Sequence, residues 1–339
     1  MTLLKKYGYE KHEPSEVLDY ISSWCKSEER FLNVIAIPYN DCKFFVDIIL
    51  YFINHGKNIL YVTNEKKTNV KIVRYLKKLT GFNDYSYVKN PKTKVESKLK
   101  ITDFNIGDYL NEKFDLVIYD DISNFSFHSK ENIQRLIKSK LKNEGKAISY
   151  SIEPILPYYR HFYIPFREDK MPIIEPRIMI TRIDLNKEIP FIMYDYLEWS
   201  IKSKRKVIVY TSSNRVSENL YKYINNNNIN FGVSVTVDKN YKNYKKIDEF
   251  MKSEKGIIIT NNFNNIPCNI KNTDLIVYGA DSFNYKELVY LCGVVGRSEY
   301  NFRGEIMFLA NSEEESMDKA KDIIRNFNKR AWKIGLLNL

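Results

Sequence analysis

Residues 288–310 read LVYLCGVVGRSEYNFRGEIMFLA, with Gly293 and Gly296 spaced three apart and Arg297 directly after. Glycines let a backbone turn close to a ligand, and an arginine beside them offers a fixed positive charge to phosphate. A plain turn uses the same residues, so the stretch alone leaves both readings open. Adjacent carboxylates, Asp120 and Asp121, close the run FDLVIYDD; at a strand end such a pair is by default a solvated turn or cap. Other chemistries find no support. Cys25, Cys42, Cys268 and Cys292 are far apart with no Cys-x-x-Cys pair, so neither a zinc site nor a disulfide framework is suggested. His12, His55, His128 and His161 are scattered, no Gly-x-Gly-x-x-Gly follows the first apolar run, and no serine nucleophile elbow is present.

The chain has 339 residues, 44% of them hydrophobic, which predicts two domains with well-buried cores rather than disorder. A formal charge of +11 favours an anionic partner such as nucleic acid or a membrane surface, and lysines spread over solvated helix faces are the alternative. Twenty-six tyrosines and 19 phenylalanines could stack on bases, though packing accounts for most of them. MTLLKKYGYEKHEPSE has no apolar signal region, and no stretch of about 18 apolar residues occurs. The expectation is a soluble protein of a reducing cytoplasm.

The elements that would position these residues follow a repeating rhythm. FLNVIAI (31–37), NILYVT (58–63), FDLVIYD (114–120) and GKAISYS (145–151) predict buried parallel strands. Between them, 42–56, 67–81 and 132–145 have helical periodicity, each ending in a glycine suited to a helix C-terminus. Pro165, Pro172 and Pro176 then favour extended chain over helix, which marks a linker. The second half restarts with helices over 193–204 and 217–227 and strands over 206–213, 256–262, 273–280 and 303–310, closing on a helix over 312–335. The expected fold class is α/β, two units of parallel sheet flanked by helices.

Two such units with Gly-Arg near the end resemble the superfamily 2 helicase core of two tandem RecA-like domains. The stretch GVVGRSEYNFRGEIMFLANSEEESMDKAKDIIRNFNKRA (293–331) is similar to the C-terminal end of the competence protein ComFA family, DNA-uptake ATPases whose arginine motif reads Gly-Arg-Val-Gly-Arg-Ser. DLIVYGADSFNYKELVYLCG (274–293), YRHFYIPFREDKMPIIEPRIM (159–179) and YDDISNF (119–125) resemble further segments of that family in the same order, so the likeness spans roughly residues 15 to 331. It implies domain 1 over 1–163, a Pro-rich linker over 164–178 and domain 2 over 179–339.

The resemblance also implies roles, and most of the residues depart from them. Where the family has Gly-x-Gly-Lys-Thr to cradle phosphates, this chain has Pro38-Tyr39-Asn40-Asp41-Cys42, with Lys43 next. Asn40, Asp41, Cys42, Lys43, Gly293 and Gly296 are the positions a nucleotide would touch. Asp120 stands at the Mg²⁺ position, while Asp121 replaces the glutamate that orients water and Ser123 the second aspartate. Ser151-Ile152-Glu153 replaces Thr-Ala-Thr, Asn264-Asn265-Ile266 replaces Glu-Arg-Gly, Val294 replaces the first arginine, and Tyr290 the glutamine. Arg297 alone keeps the arginine-finger position, so Asp120, Asp121 and Arg297 read as vestigial catalytic residues. The family's four-cysteine zinc module has no counterpart in these residues. Thr63, Asn64, Lys66 and Lys67, and Thr211, Ser212, Ser213, Asn214 and Arg215, fall where related helicases touch the nucleic-acid backbone, with helix capping the alternative for both groups.

The expectation is a helicase-like, ComFA-related binder of single-stranded DNA with weak or no ATPase activity, working in DNA uptake or processing. No cofactor is expected, or ATP and Mg²⁺ if the site is active, and partners from DNA uptake or processing are implied. It would be cytoplasmic, or peripheral at the inner face of the membrane. A divergent active ATP-dependent single-stranded-DNA translocase and a protein-interaction scaffold that binds no nucleic acid are the alternatives.

Overall fold

The computed structural model describes residues 14–157, 160–167, 169–238, 244–262, 270–296 and 304–337. The chain divides between Lys170 and Met171 into two compact units, with Arg330–Leu337 grouping with the first.

The first unit contains, in chain order, α1 (Pro14–Lys26), β1 (Phe31–Ala36), α2 (Phe45–Asn54), β2 (Ile59–Thr63), α3 (Lys71–Thr80), β3 (Tyr85–Tyr87), β4 (Leu99–Thr102), α4 (Phe104–Asp108), β5 (Phe114–Asp120), α5 (Lys130–Lys140), β6 (Leu141–Ser151) and β7 (Arg160–Ile164). Its seven strands are all parallel in the order β3-β4-β2-β5-β6-β1-β7. β2 and β4 are buried at every position, as a parallel sheet covered on both faces requires. Gly81 ends α3 in the left-handed region at φ +68°, its N–H bonding to the Lys77 carbonyl, so glycine is required there.

The second unit contains β8 (Arg177–Ile180), α6 (Phe191–Lys202), β9 (Lys206–Thr211), α7 (Asn214–Asn226), β10 (Val235–Val237), α8 (Tyr244–Lys252), β11 (Gly256–Thr260), β12 (Thr273–Tyr278), a 3₁₀ turn (Ala280–Ser282), α9 (Tyr285–Cys292), β13 (Ile306–Ala310) and α10 (Glu315–Lys333). Six parallel strands run in the order β10-β11-β9-β12-β13-β8. Each unit is thus a parallel sheet flanked by helices, the α/β architecture of a RecA-like domain.

Three expected elements are corrected. The helix expected over 132–145 stops at Lys140, and Leu141 enters β6 directly. Gly145 serves this strand rather than a helix end: the β5–β6 register shifts between Phe114 and Leu116, and a Cβ on Gly145 would lie 2.9 Å from the Phe114 carbonyl oxygen. The strand expected over 206–213 stops at Thr211, and the helix expected from 217 begins at Asn214, because the Ser213 hydroxyl accepts the Val216 N–H at 3.3 Å and caps α7. The prolines at 165, 172 and 176 lie between β7 and β8, which join different sheets.

A buried asparagine ties the first sheet together. The Asn33 side-chain oxygen accepts the N–H groups of Ile155 (3.0 Å) and Leu156 (2.8 Å) and the Ser149 hydroxyl (2.6 Å). Its amide donates to the Leu156 carbonyl at 2.8 Å and lies 3.2 Å from His161 Nδ1. The chain leaving β6 is thereby pinned to β1. In the second unit fully buried Asp274 has the same fixing role, accepting Arg205 Nε at 2.6 Å, Arg205 Nη2 at 2.5 Å and the Glu305 N–H at 2.8 Å.

Asn33→Leu preserves bulk but orphans two buried amides and a hydroxyl. It is expected to lower unfolding stability by about 3 kcal/mol, measured by chemical denaturation.

Candidate functional site

The carboxyl ends of β1, β6, β5 and β2 lie side by side, and the sheet register sets the residues there at one level. Tyr150 of β6 is opposite both Val34 of β1 and Asp120 of β5, and Asp120 is opposite Thr63 of β2. Every polar group at this edge has to be satisfied by the loops that follow.

The polar groups of the loop after β1, residues 37–44, are engaged within the loop and by neighbouring segments of the first unit. Tyr39 takes a left-handed backbone at φ +59°, uncommon for a residue with a side chain, and donates its N–H to the Ile122 carbonyl at 3.0 Å. The Asn40 N–H returns to the Ile37 carbonyl at 3.3 Å, and the Asn40 side-chain amide donates to the Phe166 carbonyl at 3.2 Å. The Lys43 N–H donates to Asp41 Oδ1 at 3.0 Å. Asp41 Oδ2 accepts the Tyr75 hydroxyl of α3 at 2.9 Å, and the Asp41 carbonyl accepts the Tyr150 hydroxyl at 2.7 Å. A carboxylate thus takes an amide that a phosphate-binding loop would hold out to its ligand. Lys43 itself is exposed.

Behind this loop is a buried acidic cluster. Asp120 Oδ2 accepts the Tyr61 hydroxyl at 2.5 Å, and Oδ1 accepts the Ser123 N–H at 2.9 Å. Burial raises the pKa of Asp120, opposed by those hydrogen bonds and by Lys71. Asp121 Oδ1 accepts the Ser126 hydroxyl at 2.7 Å, and that hydroxyl lies 2.7 Å from the Tyr119 oxygen. The Cys42 thiol is pushed well up, first by burial and then by the charges of Asp120 and Glu65, so it stays protonated. Magnesium takes hard oxygen donors at octahedral geometry. A protonated thiol does not fit that ion, and each Asp120 oxygen already accepts one hydrogen bond. Among the described residues no group of three or more His, Cys, Asp or Glu could hold a metal.

Glu65 escaped the sequence reading, since TNEKKTN looks like an ordinary polar loop. Its carboxylate accepts the Lys71 N–H at 3.1 Å. Burial, then the charge of Asp120, lifts its pKa to about 7, with Lys71 and Arg74 pulling the other way. Tyr61, Tyr75 and Tyr150 were missed too, because a tyrosine in or beside an apolar run has the sequence signature of core packing.

Among the candidate nucleic-acid contacts, four side chains serve the fold. Thr63 is buried and accepts the Glu65 N–H at 3.3 Å, and Asn64 donates to the Phe125 carbonyl at 3.0 Å. Thr211 is buried with its hydroxyl 2.6 Å from Ser217 Oγ, and Ser213 caps α7. Lys66, Lys67, Ser212 and Arg215 are exposed. Gly296 is left-handed at φ +73°, whereas Gly293 ends α9 in ordinary helical geometry at φ −66°. Arg297, Asn264, Asn265, Ile266 and Cys268 lie outside the described residues.

Folding raises the Glu65 pKa above its ordinary value near 4.5, so the folded state holds the extra proton. Its stabilising contribution is complete below about pH 4.5 and is lost as pH rises through about 7. Glu65→Gln is therefore expected to match the parent melting temperature at about pH 4.5 and exceed it at about pH 8, read by a thermal-melt pH series.

No family model matches the chain. Competence protein ComFA of Streptococcus pneumoniae (strain ATCC BAA-255 / R6) is 23% identical over 239 residues, 65% of this chain, and the match spans 54% of that longer protein, about half its length. S. cerevisiae Dbp5 bound to RNA and ADP BeF3 superposes with a TM-score of 0.55 at 11% identity, covering 96% of this chain and 89% of that one. Escherichia coli DEAH/RHA helicase HrpB superposes at 0.55 with 10% identity, covering 90% and 43%. The Pyrococcus furiosus Hef helicase domain superposes at 0.50 with 10% identity, covering 86% and 94%. The chain therefore has the fold of two RecA-like domains found in these helicase structures, and among curated proteins it is similar to ComFA.

Proposed function

We propose that this protein binds single-stranded nucleic acid, DNA foremost, as a helicase-like relative of ComFA with weak or no ATP hydrolysis, and that it works in DNA uptake or processing. The observation that carries the reading is the loop after β1. Its Tyr39, Asn40 and Lys43 amides are engaged by Ile122, Ile37 and Asp41, and Pro38 has no N–H to give. A triphosphate arriving there would have to displace a carboxylate held by a tyrosine hydroxyl and a backbone amide. Like charges would also meet, since Asp41 stands where such loops carry lysine. Arg297, in the arginine-finger position of the resembling family, has value only to a nucleotide already bound.

Strand binding is what such a fold retains without hydrolysis. Dbp5 is described with RNA bound, and a RecG structure (TM-score 0.51, 14% identical) with a three-way DNA junction. Exposed Lys66, Lys67, Ser212 and Arg215 stand at carboxyl ends of parallel strands, where ligands of open α/β sheets collect. The charge of +11 suits a polyanion. We take domain 1 as 1–163, the linker as 164–178 and domain 2 as 179–339. A cytoplasmic site of action agrees with there being, among the described residues, no helix long and apolar enough to cross a membrane.

Two measurements test the reading. Steady-state ATP turnover is expected to show no stimulation by saturating single-stranded DNA; a stimulated rate abolished by Arg297→Ala would replace the proposal with that of a divergent translocase. Binding of a labelled oligonucleotide is expected to weaken steeply with salt, and the Lys66→Ala, Lys67→Ala pair to reduce the log–log salt slope by about 1.4. No binding at about 50 mM salt would favour the scaffold reading instead.

A further inference from the structure

From the loop joining β5 to α5 we infer that Phe127 is a stacking platform for the bases of a single-stranded nucleic acid on the first unit. The inference rests on the nucleic-acid reading above and adds that bases, as well as phosphates, are held. The loop is pinned at nearly every residue. Asn64 donates to the Phe125 carbonyl at 3.0 Å, and Asn124 donates back to the Asn64 carbonyl at 2.8 Å. The Ser126 hydroxyl is fixed by Asp121 and Tyr119, each at 2.7 Å. The His128 ring stacks on Phe104 with centroids 3.7 Å apart and planes 18° from parallel. Ser129 then caps α5, accepting the Asn132 N–H at 3.3 Å.

On this ordered loop Phe125 and Ser126 are buried, yet Phe127 is 73% exposed. Its ring stands edge-on to Phe125, with centroids 4.5 Å apart and planes 74° from parallel. That contact orients the ring and leaves most of its surface to solvent. A large apolar ring held rigidly outside the core contributes little to folding and is ready to stack.

Its surroundings select the partner. The anchors of the loop, Asn64 after β2 and Phe104 at the start of α4 after β4, stand at the carboxyl ends of β2, which neighbours β5, and of β4 beyond it. The same crest carries exposed Lys66 and Lys67, and exposed Lys89 follows β3. A basic crest beside an oriented aromatic face is the combination that single-strand binders use, since cations follow the phosphates and every base has a π-face. An apolar protein partner would instead be met by a contiguous apolar patch. Phe127 is flanked in sequence by Ser126 and His128, with lysines on the neighbouring crest.

The test uses the full chain and fluorescence anisotropy with two labelled strands, oligo-dT of about 20 nucleotides and an abasic strand of equal length and phosphate count. Phe127→Ala is expected to weaken binding to oligo-dT about tenfold. It should leave the abasic affinity, the salt slope and the melting temperature unchanged, while Phe127→Trp keeps the affinity and has its indole fluorescence quenched by oligo-dT. Equal losses on both strands, or no loss on either, would overturn the stacking role while the parent chain's binding keeps the wider reading. If the parent chain binds neither strand at about 50 mM salt, both fall together. A protein partner whose binding Phe127→Ala abolishes while oligo-dT affinity holds would also overturn it.

Discussion

A parallel sheet covered by helices on both faces leaves polar chemistry one natural home, the row of loops at the carboxyl ends of its strands. In the first unit that row holds Asp41, Asp120, Asp121 and Glu65, four carboxyl groups within or beside a protein interior. Charge in such a place is tolerated only when paired or hydrogen-bonded, and otherwise the group holds its proton. The loop geometry follows from this demand. Tyr61 and the Ser123 amide serve Asp120, Ser126 serves Asp121, and Tyr75 with the Lys43 amide serves Asp41.

These bonds bear directly on what the edge can do. A phosphate-binding loop functions because its amides are left without protein partners, and the ligand supplies the missing acceptor. Here the Asp41 carboxylate and the Ile37 and Ile122 carbonyls take up those donors. The resulting edge is rigid and largely self-neutralised near β1, and basic near β2 and β3, where Lys66, Lys67 and Lys89 are exposed. The two ends of one row are therefore suited to different tasks. The β1 end is hydrogen-bonded within the protein, and the β2 end presents exposed lysines.

The second unit repeats the architecture with different polar fixings. Asp274 and Arg205 join the start of β12 to the chain entering β9, and Thr211 with Ser217 and Ser213 close the turn into α7. These hydroxyls are engaged within the fold, whereas Ser212, Asn214 and Arg215 beside them are exposed.

The amino-acid sequence by itself determined the α/β alternation, the two units and the strands that build their centres, because long buried parallel strands must be apolar runs and helices must be periodic. Gly56 and Gly81 carried legible stop signals for the same local reason, each left-handed just past a helix. β3, β4 and β10 went unread: three or four residues show no period, and such strands exist only because a neighbour pairs with them. Gly145 was misread since a bulge and a helix end ask for the same residue. That no glycine stands from Pro38 to Lys43, where the resembling family has its cradle, was visible in the letters. That Asp41 accepts the Tyr75 hydroxyl, that Glu65 meets the like charge of Asp120, and that Phe127 stands exposed on a loop pinned by Asn64 and Phe104 were decided by tertiary structure alone. Each depends on groups far apart in the chain meeting at one sheet edge, and hydrogen bonding and desolvation act on that distance rather than on sequence separation.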